Sequence, residues 1–436
     1  MSWRDGLQPV RMQRIALVAP VTELPAMLER VGAAAVVELE PPEVEATREA
    51  ELRRRVTQAI ARGPVGALAG WIPAPALAQL TEQLAPLGAA AVPLAPQRGT
   101  QPPTLLERQR RARAFDPLVQ GYATVPYADV DPTLVAGLAY VVMFGMMFGD
   151  LGHGLLILAA AWLVRSGRIR RLAKIQRIWP FLAGAGVAAA GFGVLYGEFF
   201  GPTGLIPVVW LSPLDEPVPL LVAAVAVGAL LLAGAYVLGT VNRVREGGWI
   251  YALYARSGIA GSLLFLALGM LAAGIYLAAD VLVILGVALV SVAAVLAFVG
   301  LLAAAGGGAA GAVQAVVELF DLFVRVGSNL VSFARLAAFG LTHAALSAVV
   351  WQGTTAVWGP GLAAVAAVAL FLAGTAVALT LEALVAGIQA LRLEYYELFS
   401  RVFDTEGRPF RPWALPCPGA TPVPNNQKPE NQEVTT

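Results

Sequence analysis

From Pro132 to Leu398 the chain alternates apolar blocks with short connections, and that alternation leaves few folds open. The blocks cover Pro132–Gly149, Leu151–Val164 and roughly 179–200, 218–241, 251–276, 279–304, 320–351 and 362–398, eight in all. About 20 helical residues cross a bilayer. Hydrocarbon offers no water to unpaired backbone groups, so a spanning block must be helical. Only 14% of the 436 residues are charged, against about 25% in soluble domains. The pattern predicts a mainly α, polytopic membrane protein with eight transmembrane helices. The last block is ~50 Å long at about 1.5 Å per residue, so it must tilt or protrude.

The connections predict orientation. RSGRIRRLAKIQR carries Arg165, Arg168, Arg170, Arg171, Lys174 and Arg177, and NRVREGG carries Arg243 and Arg245. The alternate loops GPTGLIPVVWLSPLDEP and QGTTAVWGPG and the turn at Asp280 contain no Lys or Arg. An excess of basic residues marks cytoplasmic loops, which places both termini in the cytoplasm.

Residues 1–115 have a different texture, that of a small cytoplasmic α/β arm. MQRIALVAP and AAVVELE flank a helix in TELPAMLERVGA with Thr22 as its cap, and EVEATREAELRRRVTQAIARG is a charged helical stretch. GALAGWIP, ALAQLTEQLAPLG and AAVPLAP repeat the strand–helix–strand order, so two small units joined by a helical arm are expected. A linker over 116–131, a membrane domain over 132–400 and a cytoplasmic tail over 401–436 follow. The tail is largely disordered by composition from Pro412 on.

Several chemistries are excluded. Neither of the two lysines, Lys174 and Lys428, lies in a GxxxxGK[ST] loop, so any nucleotide is bound by another subunit. The single Cys417 has no disulfide partner. His153 and His343 cannot by themselves make a histidine-rich metal site. The start lacks a secretory apolar core. No cofactor, resident metal, catalytic group or nucleic-acid partner is expected.

Within the seventh block stands Arg335, amid Phe333, Ala334, Leu336, Ala337 and Ala338. An arginine at bilayer depth costs about 2.5–3.5 kcal/mol on insertion scales, so it needs a polar partner, water or a task. Asp321, Ser328, Ser332 and Thr342 fall near its helical face. Helix ends are expected to lie far from it. On the eighth block Glu382, Gln389 and Tyr396 recur every seven residues, with Arg392 three beyond Gln389. Plainer readings stand beside these: Glu382 as structural partner of Arg335, Arg392 snorkelling to the interface, Glu318 as an interfacial carboxylate, and His343 packing between helices. Asp150 and His153 read as stitching a glycine-rich hairpin, and Glu198 as structural. GLLAAAGGGAAGA reads as close packing or a cytoplasmic turn.

Taken together, DPT (131–133), FGMMFGDLGHG (144–154), YGEFFG (196–201), SNLVSFARLAAFGLTHAALS (328–347), LEALVAGIQALRLEYYELF (381–399) and GRPFRPW (407–413) resemble the membrane subunit a, or I, of V/A-type rotary ATPases. The resemblance covers roughly residues 100–413 in collinear order. It places the family's essential arginine on Arg335, its downstream histidine on His343, its upstream glutamate on Glu318, and the glutamate and second arginine of the last span on Glu382 and Arg392. Gln389 stands where eukaryotic members have histidine, and the front end is abbreviated, which leaves stator attachment in question.

The resemblance implies two long tilted C-terminal helices leaning against a rotating proteolipid c-ring. Glu318, Ser328 and Asn329 would line a cytoplasmic half-channel. Glu382 and His343, with Thr342, Gln389 and Arg392, would line an outer one, and Ser332 shares the arginine's face. Proton or sodium flow would be coupled to ATP hydrolysis or synthesis on other subunits. The implied partners are the ring, peripheral-stalk subunits, central-stalk and catalytic subunits, and the lipid bilayer of a prokaryotic cytoplasmic membrane. Two other classes compete on the residues alone: a stand-alone ion-coupled secondary transporter, which predicts inverted repeats, and a non-conducting scaffold, which tolerates loss of Arg335.

Overall fold

In a computed structural model the apolar blocks are helices whose outward faces carry exposed aliphatic side chains such as Leu230, Ile284, Val317 and Leu362. The structure describes residues 8–40, 48–95, 100–106, 112–168, 175–255, 257–403 and 406–414. Arg170, Arg171 and Lys174 of the basic connection lie outside these residues, as do Cys417 and Lys428. Two units are described separately, one of residues 107–406 with 1–8, the other of 9–106 with 407–436.

The smaller unit holds strands β1 (Met12–Pro20), β2 (Glu38–Leu39), β3 (Ile60–Arg62), β4 (Val65–Pro73) and β5 (Ala90–Pro93), and helices α1 (Leu24–Ala34), α2 (Arg48–Gln58) and α3 (Leu77–Leu84). One antiparallel sheet runs β2-β4-β1-β5, with β3 pairing β4. The two strand–helix–strand repeats therefore interleave rather than forming two units. Ile15 and Leu17 of β1, Leu68 and Ile72 of β4, and Met27, Leu28 and Val31 of α1 share a single core. Neither half could cover its apolar sheet face alone.

Residues 407–414 complete this unit instead of opening a disordered tail. Phe410 N donates to Thr104 O at 3.0 Å and Trp413 N to Val37 O at 2.7 Å. Glu38 accepts from Arg408 and from the Arg411 backbone N at 2.8 Å. Trp413 is 1% exposed, and its indole donates to Glu51 at 3.3 Å, which also accepts from buried Arg55 at 2.7 Å. The rest of the expected tail lies outside the described residues.

The larger unit begins with α4 (Asp116–Gln120) and continues through α5 (Thr133–Met147), α6 (Leu151–Ser166), α7 (Trp179–Tyr196), α8 (Pro217–Tyr254), α9 (Ile259–Tyr276), α10 (Asp280–Ala304), α11 (Gly308–Ser332), α12 (Ala334–Val357), α13 (Leu362–Leu393) and α14 (Ser400–Val402). Among the described residues six helical segments are long and apolar enough to cross a membrane, while α5 and α6 are shorter apolar helices. Each of the eight expected blocks thus meets a helix, but the boundaries move. NRVREGG is not an open connection: α8 runs through it to a kink at Gly248 (φ 79°), and Arg243 is buried and paired with Glu246 at 2.7 Å. The glycine run around 306–308 is the turn between α10 and α11, with positive φ at all three residues.

Helices α6 and α7 cross closely because their contact is built of small residues. A Cβ on Gly193 would stand 2.1 Å from the backbone N of Leu151. Between apolar helices in lipid, such backbone approach and its dispersion contacts are the main source of association.

Candidate functional site

The seventh block is interrupted two residues before Arg335. Phe333 separates α11 from α12, its N donating to Leu330 O at 3.2 Å, a tightened i–3 bond. Phe333 is fully buried and fits over Gly228 of α8, where a Cβ would overlap the ring. The expectation that helix ends lie far from Arg335 is therefore wrong: the arginine occupies the first turn of α12. It is half-buried, and its Nη1 is buried without a hydrogen bond among the described residues.

Glu397 lies within electrostatic reach of Arg335, while Glu382 bonds to His343. Beyond α13 the chain winds into a π-helical turn, Glu394–Phe399. This wider turn puts Glu394 and Glu397 on the buried side. Glu397 accepts a short hydrogen bond from Ser332 Oγ, and the Arg335 and Arg392 guanidinium groups both lie within its electrostatic reach. Tyr395 fastens the turn through Leu118 O at 2.9 Å. In the orientation that satisfies both ends of its amide, Asn329 accepts from Arg401 Nη2 at 2.7 Å and donates to Arg325 O at 3.1 Å. Ser332, Asn329, Arg335, Arg392, Glu397 and Arg401 thus gather where α11, α12 and the π turn meet.

A second polar cluster surrounds His343, eight residues or ~12 Å farther along α12. Its Nδ1 shares a short hydrogen bond with Glu382 of α13. The ring packs against Phe148 at 4.5 Å and His153 at 5.4 Å between centroids. Asp150 is the N-cap of α6: Oδ1 accepts from His153 N at 2.8 Å, and Oδ2 accepts from Gly201 N at 2.8 Å. The stitching role expected of Asp150 is seen in these two bonds, and the same turn delivers His153 to His343. Glu198, 4% exposed, is within electrostatic reach of Asp150 and Glu382.

Other expected residues lie around these clusters. Glu318 accepts from Gln314 at 2.9 Å on the exposed side of α11. Ser328 is exposed, and Thr342 bonds to its own helix at Ala338 O, 2.8 Å away. Gln389 is half-buried, with Oε1 buried and unbonded among the described residues. Glu397, Glu394 and Arg401 were missed because they sit at the charged end of the last block, where interfacial side chains are ordinary. The signal was the pair of carboxylates in LEYYELF, three residues apart.

A sequence profile of the V-type ATPase 116 kDa subunit family matches residues 62–201 and 312–415, more than half of the chain. The second segment contains Arg335, His343, Glu382 and Glu397, and the first contains Asp150, His153 and Glu198. The chain is similar to "A-type ATP synthase subunit I" of Thermococcus kodakarensis, 27% identical over 374 residues, covering 80% of this chain and 54% of the relative. It is 28% identical over 380 residues to the protein of that name from Halobacterium salinarum, covering 72% and 51%. "V-type ATP synthase subunit I 2" of Treponema pallidum is 36% identical over 98 residues, 22% of each chain. The chain spans about half the length of the two archaeal relatives.

Proposed function

Because the chain belongs to the V-type ATPase 116 kDa subunit family, we propose that it is the stator subunit through which ions cross the membrane in a rotary ATPase. In this reading α5 to α13 make eight spans, both termini face the cytoplasm, and α12 and α13 lean on a ring of small subunits that each carry one embedded carboxylate. The soluble ATPase sector performs the ATP chemistry, and stalk subunits hold the stator.

The observation that carries the proposal is the separation of two polar clusters along α12, with Arg335 at the edge of one and the apolar residues 336–341 between it and Thr342 and His343. Ion passage needs two half-channels, each open to one side, and a barrier between them. A fixed guanidinium serves as that barrier. It favours the ionised form of a passing ring carboxylate, and it stays charged at depth where a lysine could lose its proton. Glu397, Ser332 and Asn329, with Glu318 and Ser328 toward the rim, line the cytoplasmic half-channel. Glu382, His343 and Asp150 line the outer one, with Thr342 and Gln389 alongside. Arg392 shares Glu397 with Arg335 and so belongs to the barrier.

The test is ATP-driven ion uptake into inverted membrane vesicles carrying Arg335→Ala, with assembly followed by co-purification of the ring. Loss of uptake in an intact complex is the expected result. Coupled uptake at the wild-type rate would remove Arg335 as the barrier and revive the transporter and scaffold readings.

A further inference from the structure

Asp150, His153 and His343 each present a ligand atom, all three are buried, and these atoms lie within 4.8 Å of one another. His153 is 2% exposed, its Nδ1 lies 3.3 Å from Asp150 Oδ1, and its Nε2 makes no hydrogen bond among the described residues, as is also true of His343 Nε2. Buried polar nitrogens in that state each cost about 1–3 kcal/mol. Stitching the hairpin does not account for them, because Asp150 does that through backbone amides.

The geometry suits a cation. His153 Nδ1 stands 3.3 Å from Asp150 Oδ1, and ligand atoms at about 2.0–2.2 Å from a tetrahedral metal are roughly 3.3–3.5 Å apart. The Glu382 carboxylate holds His343 at Nδ1. With the proton on Nδ1, the lone pair is on Nε2, the unbonded nitrogen. A carboxylate orienting a ligating imidazole in this way is a recurrent support for metal sites, and its loss typically weakens affinity 10–100-fold. Glu198 adds a further buried carboxyl group near Asp150. Phe148 packs against both histidine rings and Phe200 against His153.

We propose that Asp150, His153 and His343 form a binding site for one divalent transition-metal ion of the zinc or copper class, with Glu382 as the positioning residue for His343. Two imidazoles and one carboxylate favour Zn²⁺ or Cu²⁺ over Mg²⁺ or Ca²⁺, which prefer all-oxygen shells. The site rests on its own geometry; in the ion-transport reading it lies on the outer half-channel that Asp150, His343 and Glu382 line, so a bound ion would obstruct that path.

The chain has only two histidines, which makes the test direct. The full chain, purified in detergent on a tag without histidine, is titrated with Zn²⁺ and, separately, loaded with one equivalent of Cu²⁺ for pulsed EPR. One Zn²⁺ per chain and a Cu²⁺ spectrum with two coupled imidazoles are expected. His153→Gln should weaken Zn²⁺ binding at least 100-fold and Glu382→Gln 10–100-fold, while Cys417→Ser changes nothing. A Cu²⁺ spectrum with one imidazole or none overturns the proposal using wild-type protein alone, whatever the variants do. Unchanged Zn²⁺ affinity in His153→Gln overturns it equally.

Discussion

Within electrostatic reach of Arg335 is a carboxylate, Glu397, that is itself hydrogen-bonded to Ser332. Glu397→Gln keeps the shape beside Ser332 but removes the charge that Arg335 and Arg392 feel. Hydrogen bonds to charged groups contribute about 1.5–3 kcal/mol and ordinary ones about 0.5–1.5 kcal/mol. Ion uptake in sealed vesicles should therefore fall about tenfold or more in Glu397→Gln and only a few-fold in Ser332→Ala. Equal effects would place the importance of this contact in its shape. In the linker before α5, burial first and the Glu246 carboxylate second push the Asp129 carboxyl up to about 7, partly opposed by Arg243 and Arg245. Unfolded, it would ionise near 3.8. A raised carboxyl pKa means that the folded linker holds its proton better than the unfolded one. The contribution is therefore full at low pH and is lost as pH rises through about 7. Hydrogen exchange across residues 126–131 should speed up beyond the intrinsic rate between about pH 4 and 7 and level off above that, and Asp129→Asn should flatten that rise.

Among the helices, small residues decide which pairs can approach. Gly193 of α7 meets the backbone at Asp150 and Leu151, whereas a Cβ at Gly191, two residues earlier, meets nothing within 4 Å. Gly193→Val should cost about 1–3 kcal/mol or more by overpacking, and Gly191→Ala should be neutral or stabilise by up to about 1 kcal/mol. Thermal unfolding in detergent separates the two. The same crossing holds Asp150 over α7, so the first substitution should also disturb the histidine pair. Helix existence was legible at this scale, because an apolar block in lipid has no alternative to the helix. The interruption at Phe333 and the π turn were not. Each depends on a neighbour, Gly228 beneath Phe333 and Leu118 beneath Tyr395, and no local pattern encodes a partner more than 100 residues away.

For the molecule as a whole, the chain returns after its last helices to finish the α/β unit it began with. Removing residues 407–436 would strip Glu38 of Arg408, open Thr104 and take Trp413 from beside Glu51. A buried Trp→Ala change typically costs 3–5 kcal/mol, so Trp413→Ala should expose the 9–106 segment to limited proteolysis while the helical unit remains resistant. Protection equal to wild type would show that this segment folds without residue 413. GRPFRPW was recognisable as a motif, but its destination was not, since a short proline-rich stretch has no periodicity of its own.

The sequence by itself determined the apolar helices, the strands of the first 100 residues, and a set of polar positions too costly to be idle in lipid: Arg335, His343 and Glu382 among them. Transfer energies and backbone hydrogen bonding act locally, so those features are written residue by residue. Which polar group meets which was decided by tertiary structure alone. Glu382 bonds to His343, Glu397 came within electrostatic reach of Arg335, and Asp150 brought His153 beside His343. A charge's partner is set by distance, and distance between segments is fixed only when small residues let the helices close.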